Sequence, residues 1–392
     1  MLRASILLIA VFVAYASSAQ NNPVEDPRSV DADFRKSFIF QGIGPDALAC
    51  GPVLGVAPNR TLVCAWIGGG RAEPKPENKA MVSISKDGGE TWSAPAPALA
   101  RPSTILDFYT IGSKFCGIGF EFDPESSYTV KRPFRVYSDD NGSTWSAPEY
   151  LAISRKNAAI ESHIELSNGD WLFPAYFMEL REKPLEGGTR REYTHSIGCG
   201  VLISTDEGQS FLTGSSGEIT LFGSIDNRPL GLHEPRIVQL SSGRVVMLMR
   251  ANFDDQLWQA TSEDNGRTWS DAEEIGIPNP SAKVWIGRLQ SGSIALALNP
   301  ATKSRDPLEL WLSRDDMKSW PYMFHLDAYE AYRTLTVPGG RHDPEAGWGK
   351  GGAWPGNLSY PFVLERNGVL YIVYDVARRD VVLLRGPVVS HP

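Results

Sequence analysis

One short motif occurs five times along this chain and limits its fold more than any other feature. The pattern is Ser-x-Asp-x-Gly-x-Thr-Trp, complete in three copies and degraded in two, one of which has Met317 at the glycine position. The copies span residues 85–92, 138–145, 204–211, 262–269 and 313–320. The Asp side chain accepts backbone N–H groups of a tight turn, Gly takes a positive φ, and Trp packs onto the flanking strands. Each copy therefore predicts a β-hairpin.

Successive copies lie about 50–65 residues apart, which suits one four-stranded propeller blade of roughly 40–50 residues with loop insertions. Five motifs and the strand-like run 360–384 predict six units. The motifs resemble the Asp-box, or BNR, repeat of the sialidase superfamily of β-propellers. We therefore expect an all-β, six-bladed β-propeller over residues 20–392. Residues 37–41 predict a strand that completes the last blade. The resemblance implies that the boxes are structural turns without catalytic residues.

The N-terminus has the pattern of an export signal. Arg3 provides the positive region, residues 6–16 the apolar core, and residues 17–19 a small-residue cleavage site. We expect cleavage after Ala19, with no membrane span in the mature chain, and a secreted or periplasmic protein. An uncleaved anchor is the alternative. The net charge of −8 argues against nucleic acid as a partner, but it leaves room for a locally basic site that binds an anionic sugar.

The four cysteines do not have the spacing of a disulfide scaffold or a zinc site. Cys50 and Cys64 flank a turn, so they either form a disulfide across neighbouring strands or remain buried free thiols. No metal or organic cofactor is expected. Two long inserts, 179–194 and 327–356, interrupt the hairpin pattern, and the second is expected to overhang a pocket.

The strongest functional signal is a hairpin that starts at His233-Glu234-Pro235 and ends at Arg250. Such a hairpin brings the Glu and the Arg side by side. The resemblance to sialidases implies that Glu234 assists a nucleophile and that Arg250 grips a substrate carboxylate. It also implies a second carboxylate-binding arginine, Arg305, on the innermost strand of its blade, while His233 is a further candidate for substrate binding.

The segment that opens the last blade, 357–361, resembles the sialidase segment that carries the nucleophilic tyrosine, here Tyr360. Tyrosine suits sugars whose anomeric carbon bears a carboxylate, because an attacking Asp or Glu would be repelled. A neighbouring Glu234 then accepts the phenol proton. We expect the Tyr360 and Glu234 oxygens to lie within hydrogen-bonding distance.

Blade 1 departs from the sialidase pattern. The place of the family's first carboxylate-binding arginine is occupied by Cys50-Gly51-Pro52. The general acid/base should come from the following loop, which offers Glu73 and Glu77, and Arg71 beside them is a candidate replacement for the missing cation.

These observations favour a retaining exo-glycosidase that removes a terminal acidic sugar from a glycan. Two alternatives remain. One is a lyase or another glycosidase acting on uronate polysaccharides, with His163, His233 and His342 as candidate acid/base groups. The other is a propeller that binds carbohydrate without turning it over, an alternative supported by the absence of the blade-1 arginine.

Overall fold

The computed structural model describes residues 34–388, apart from 44–46, 125–129, 154–156, 186–187, 213–218, 221–223, 226–227, 230, 253 and 334–356. The expected signal peptide and His342 lie outside the described residues.

The described chain begins with strand β1 (Arg35–Gln41) and then forms three blades. Blade 1 contains β2 (Ala49–Val56), β3 (Leu62–Gly68), β4 (Lys79–Ser85) and β5 (Ala96–Pro97). Blade 2 contains β6 (Ser103–Ile111), β7 (Lys114–Phe122), β8 (Lys131–Ser138) and β9 (Glu149–Tyr150). Blade 3 contains β10 (Ala158–Ile160), β11 (Ile164–Glu165), β12 (Trp171–Leu185), β13 (Gly188–Ser204) and β14 (Ile219–Thr220).

A two-stranded hairpin and three further blades complete the fold. The hairpin consists of β15 (Ser224–Ile225) and β16 (Arg228–Pro229). Blade 4 contains β17 (Leu232–Gln239), β18 (Val245–Ala251), β19 (Gln256–Ser262) and β20 (Glu273–Pro278). Blade 5 contains β21 (Trp285–Arg288), β22 (Ile294–Leu298), β23 (Leu308–Ser313) and β24 (Tyr322–Asp327), followed by helix α1 (Glu330–Arg333). Blade 6 contains β25 (Leu358–Arg366), β26 (Val369–Val376) and β27 (Asp380–Pro387).

The six sheets form the predicted six-bladed propeller. Strand β1 closes the ring, because it pairs antiparallel with β27 from Arg35 opposite Arg385 to Gln41 opposite Asp380. It thereby becomes the outermost strand of blade 6, as residues 37–41 predicted. Backbone hydrogen bonds between the two ends of the chain satisfy edge groups that an open ring would leave unpaired.

Hydrophobic layers between neighbouring blades form the core. The largest joins blades 6, 1 and 2 and includes the fully buried Trp66 and Phe134. Every residue of β3 is buried, because both faces of a blade pack against other blades. Such strands appear as continuous apolar runs rather than as alternating patterns.

Each Asp box connects the third and fourth strands of its blade, as predicted, where β10 and β11 of blade 3 count as one first strand because both pair with β12. In the first copy Ser85 donates to Asp87 (2.8 Å), Gly89 N–H donates to Ser85 Oγ (2.8 Å), and Thr91 N–H donates to Asp87 (2.9 Å). The degraded copy keeps the same bond, from Met317 N–H to Ser313 Oγ (2.9 Å). Since adjacent strands are antiparallel, the boxes lie on the face opposite to the starts of the first strands.

The box glycines are needed for both their backbone conformation and their lack of a side chain. Gly142 has φ 92°, and a Cβ there would lie 2.6 Å from Val63 Cγ2. We expect Gly142→Ala to lower stability by about 1 kcal/mol for the positive φ, and further for the clash. Gly169→Ala is the matched control, because Gly169 has φ 86° but open space around it. Equal denaturation midpoints for the two variants would contradict the clash argument.

The four cysteines are all buried free thiols. Cys50 lies opposite Ile67, and Cys64 opposite Leu54, so the disulfide considered from the sequence is not formed. The insert 179–194 extends the long hairpin of β12 and β13. Most of the insert 327–356, with its expected overhang, falls outside the described residues.

Candidate active site

The first strands of blades 1, 2, 4 and 6 each contain a β-bulge in their first half. Their register shifts between Cys50 and Val53, Ile105 and Asp107, His233 and Arg236, and Ser359 and Phe362. Three bulge residues have positive φ: Gly51 (64°), Glu234 (48°) and Tyr360 (56°), and proline follows each one. Positive φ costs a non-glycine residue about 1 kcal/mol or more, and such strain concentrates at functional sites. The bulges thus set Glu234 and Tyr360 at equivalent places in blades 4 and 6.

Glu234 and Arg250 form the contact that the sequence predicted. His233 lies opposite Arg250 in the hairpin, and Arg250 Nε donates to Glu234 Oε2 (2.5 Å). Burial opposes ionisation of Glu234, but the charges of Arg250 and Lys283 outweigh it and lower its pKa to about 2. Glu234 is therefore a carboxylate over the whole physiological pH range.

Arg305 reaches the same place by a different route from the one expected. It is in the connection between β22 and β23, so its predicted position on the innermost strand is wrong. Its guanidinium carbon is 5.3 Å from the centre of the Tyr360 ring. Ser281 lies between the two arginines, because Arg250 donates to its hydroxyl (3.0 Å) and Arg305 to its carbonyl (2.8 Å). Two arginines from neighbouring blades therefore converge beside Tyr360.

Tyr360 is partly buried among these charges. Burial and the nearby Glu234 carboxylate raise the pKa of the phenol to about 12, although Arg305 and Arg250 oppose the shift. Within the described residues no hydrogen bond joins Tyr360 to Glu234, so the expected direct contact is not formed. The Glu234 carboxylate accepts a hydrogen bond from Arg250 instead.

The blade-1 loop brings one of its two glutamates to the site. Glu73 accepts a hydrogen bond from Cys50 Sγ (3.4 Å) and is ion-paired with Arg378, whereas Glu77 and Arg71 are exposed. Arg378 also donates to Cys50 Sγ (3.5 Å). The place where the sialidase resemblance predicted an arginine thus contains a guanidinium from the turn after β26.

Glu161 and Lys283 are site residues that sequence reasoning missed. Glu161 follows β10 at the position that Glu234 has in blade 4, and it forms a buried ion pair with Lys283, which precedes β21 of blade 5. The Lys283 ammonium is 5.9 Å from the centre of the Tyr360 ring. The signal was the similarity of residues 159–163 to 232–236, in which an apolar residue lies two positions before the Glu and a His or Arg two positions after it.

Cations outnumber carboxylates in this region, although the whole protein is acidic. Burial lowers the pKa of Lys131 to about 7 against the attraction of Glu161 and Glu234. The cationic side chains are Lys131, Arg236, Arg250, Lys283, Arg305 and Arg378. The carboxyl groups are Glu73, Asp107, Glu161, Glu234 and Asp375. This excess of positive charge favours an anionic ligand.

Asp375 should give the site a measurable pH dependence. Burial raises its pKa to about 7, although Gly51 N–H donates to it (3.1 Å). The folded protein therefore holds a proton that an unfolded chain releases near pH 3.8, so the free energy of unfolding should fall as pH rises from about 4.5 to 7. Glu234, with its lowered pKa, acts only below this window. We expect Asp375→Asn to flatten the slope in thermal unfolding between pH 5 and 7. An unchanged slope would contradict this assignment.

Of the three histidines considered for lyase chemistry, His163 has a carboxylate partner. Its Nδ1 lies 2.5 Å from Asp107 Oδ2, and its ring stacks on Trp171 with the centroids 5.0 Å apart. His233 is 5.8 Å from the Tyr176 ring, centre to centre.

The described residues contain no group of His, Cys, Asp and Glu arranged to hold a metal ion. Among them there is also no helix long and apolar enough to cross a membrane.

Comparison with known proteins agrees with the propeller fold. The model of the BNR repeat-like domain matches residues 59–372. The chain belongs to this family. A curated relative, named a sialidase, from Micromonospora viridifaciens is 25% identical over 362 residues, which cover 80% of this chain and 53% of the relative. The chain thus spans about half the length of that curated BNR-repeat relative.

Solved structures share the propeller fold at low identity. A microbial sialidase designated Hadza Hz136 superposes with a TM-score of 0.63 at 14% identity, covering 88% of this chain and 68% of that one. A Dyadobacter fermentans protein of unknown function superposes with a TM-score of 0.62 at 16% identity, covering 91% of this chain and 100% of that one. A Trypanosoma rangeli sialidase in complex with sialic acid superposes with a TM-score of 0.61 at 14% identity, covering 92% of this chain and 59% of that one. The similarity to these solved structures shows the fold of this BNR-repeat protein.

Proposed function

We propose that this protein is an exported, retaining exo-glycosidase that releases a terminal acidic sugar, such as a sialic acid, from a glycan. The observation that carries the proposal is the convergence of Glu234, Arg250 and Arg305 around Tyr360. The sialidase name of the Micromonospora relative supports it, and the N-terminal pattern supports export.

The arginines explain how the site would select its substrate. A guanidinium binds a carboxylate through parallel N–H donors with geometric specificity. Arg250 and Arg305 are both held by Ser281, so their spacing is set before a ligand arrives. Arg378, beside Cys50, is a third cation in reach of the same anion.

Substrate binding would also activate the nucleophile. A sugar carboxylate competes with Glu234 for Arg250, and a Glu234 oxygen released from Arg250 then accepts the Tyr360 proton. The Tyr360 oxygen forms a bond to the anomeric carbon as the glycosidic bond breaks. Glu73, which takes up a proton once Arg378 turns from it to the sugar carboxylate, gives that proton to the departing oxygen. Water then attacks the anomeric carbon and loses its proton to Glu73, while Tyr360 leaves and recovers its proton from Glu234.

A panel of fluorogenic sialosides and uronides tests the proposal. We expect fluorescence release from an acidic sugar with retention at the anomeric carbon, and none from the neutral sugar of the same aglycone. Binding of the acidic sugars without any turnover would support a non-catalytic propeller and contradict the proposal.

A lyase for uronate polysaccharides is the second candidate, and the His163–Asp107 contact favours it. A neutral imidazole whose Nδ1 proton is held by a carboxylate has the tautomer needed for proton abstraction. Lyase products contain a new unsaturated bond that absorbs in the near ultraviolet. Such absorbance, abolished by His163→Gln and unaffected by Tyr360→Phe, would favour the lyase over the glycosidase.

A further inference from the structure

Arg236 is buried near the propeller axis without a hydrogen-bonding partner. Its exposed fraction is 2%, its Nε has no partner, and among the described residues it forms no hydrogen bond or ion pair. Its guanidinium carbon is 5.7 Å from the centre of the Phe362 ring. Arg236 belongs to blade 4 and Phe362 to blade 6, so this side chain points into the axial channel, the space enclosed by the first strands of the six blades.

The nearby carboxylates attract Arg236, but none of them binds it. Three of them lie close enough for their charges to act on it, but each is held by another side chain. The pairs are Glu161 with Lys283, Asp107 with His163, and Glu234 with Arg250.

Buried guanidinium N–H donors without acceptors are costly, and arginine cannot relieve the cost by losing its proton. The solution is an acceptor that fits between them. We propose that the axial channel contains a binding site for a small inorganic anion of halide size, with Arg236 as its principal ligand. This site is separate from the carboxylate-binding arginines.

The surroundings favour a small, spherical anion over an oxyanion. One side of the Arg236 guanidinium faces the apolar Phe362 ring, and the Lys283–Glu161 pair links blades 3 and 5 across the same channel. An oxyanion needs donors for several oxygen atoms, whereas a halide is satisfied by the N–H donors of one guanidinium.

Crystals of the full protein soaked in bromide provide the direct test. We expect an anomalous peak within about 3.5 Å of the Arg236 terminal nitrogens, in crystals without any sugar. A map that shows only water at this position would overturn the proposal, and so would a peak confined to Arg250 and Arg305. Since no turnover is measured, failure of the glycosidase proposal would leave this result unaffected.

Thermal unfolding in solution provides the second test. Replacing gluconate by chloride should raise the Tm saturably, by about 2 °C or more, because the ion binds only the folded protein. Arg236→Met should abolish the response and the bromide peak, and Arg236→Lys should retain part of both.

Arg135→Met is the matched control. Arg135 is equally buried at 3% exposed, but it donates to the Gly208 and Gln209 carbonyls and to Glu149. This variant should keep the full chloride response. A response that persists in Arg236→Met, or disappears in Arg135→Met, contradicts the site. If Arg236→Met does not fold, the bromide map of the unmodified protein decides the question.

Discussion

Replacing Tyr360 by phenylalanine is expected to lower turnover of an acidic sugar glycoside by roughly 10³-fold or more, with the fold intact. The change removes only the oxygen that forms the covalent bond. The hydroxyl makes no hydrogen bond within the described residues, so its loss should shift the denaturation midpoint little. Affinity should change far less than kcat, because the oxygen acts mainly in the transition state.

Tyr137→Phe is the matched control for Tyr360→Phe. Tyr137 also ends in a hydroxyl near a glutamate, donating to Glu149 (3.1 Å), but it lies close to the second Asp box on the opposite face. Loss of the Tyr137 hydroxyl should leave kcat unchanged. Near-normal turnover by Tyr360→Phe would remove the tyrosine mechanism and favour the lyase or the binding propeller.

Replacing Arg305 by leucine is expected to raise KM for the same substrate by roughly 10–100-fold, the size of a lost charge-assisted hydrogen bond or pair of bonds. Unlike Tyr360, Arg305 would meet a carboxylate that is already present in the ground state. Arg305→Lys should recover part of the affinity, because it keeps the charge but not the planar fork.

The control for this series is Arg288→Leu in the same blade. Arg288 binds the Gln239 carbonyl and Asp316 on the box face, so its loss should not change KM. Initial rates over a range of substrate concentrations separate the cases, with Tm recorded for each variant because Arg305 is buried. A fall in kcat alone for Arg305→Leu would contradict a role in ground-state binding.

Local sequence signals predicted the scaffold because an Asp box is a local structure. Its Ser, Asp, Gly and Thr bond to one another within a few residues, so the pattern is present wherever the hairpin forms. The pairing of Glu234 with Arg250 was predictable for a similar reason, since both belong to one hairpin with an identifiable turn.

The sequence by itself therefore determined the repeated hairpins, the number of blades, and the side chains that each hairpin brings together. Only the tertiary structure decided which cations meet at the axis. Arg378 lies beside Cys50, and Lys283 pairs with Glu161, although these partners come from different blades. They meet only when β1 pairs with β27 and the ring closes, because contacts across the axis depend on the positions of whole blades. Such contacts produce no repeating pattern in the amino-acid sequence.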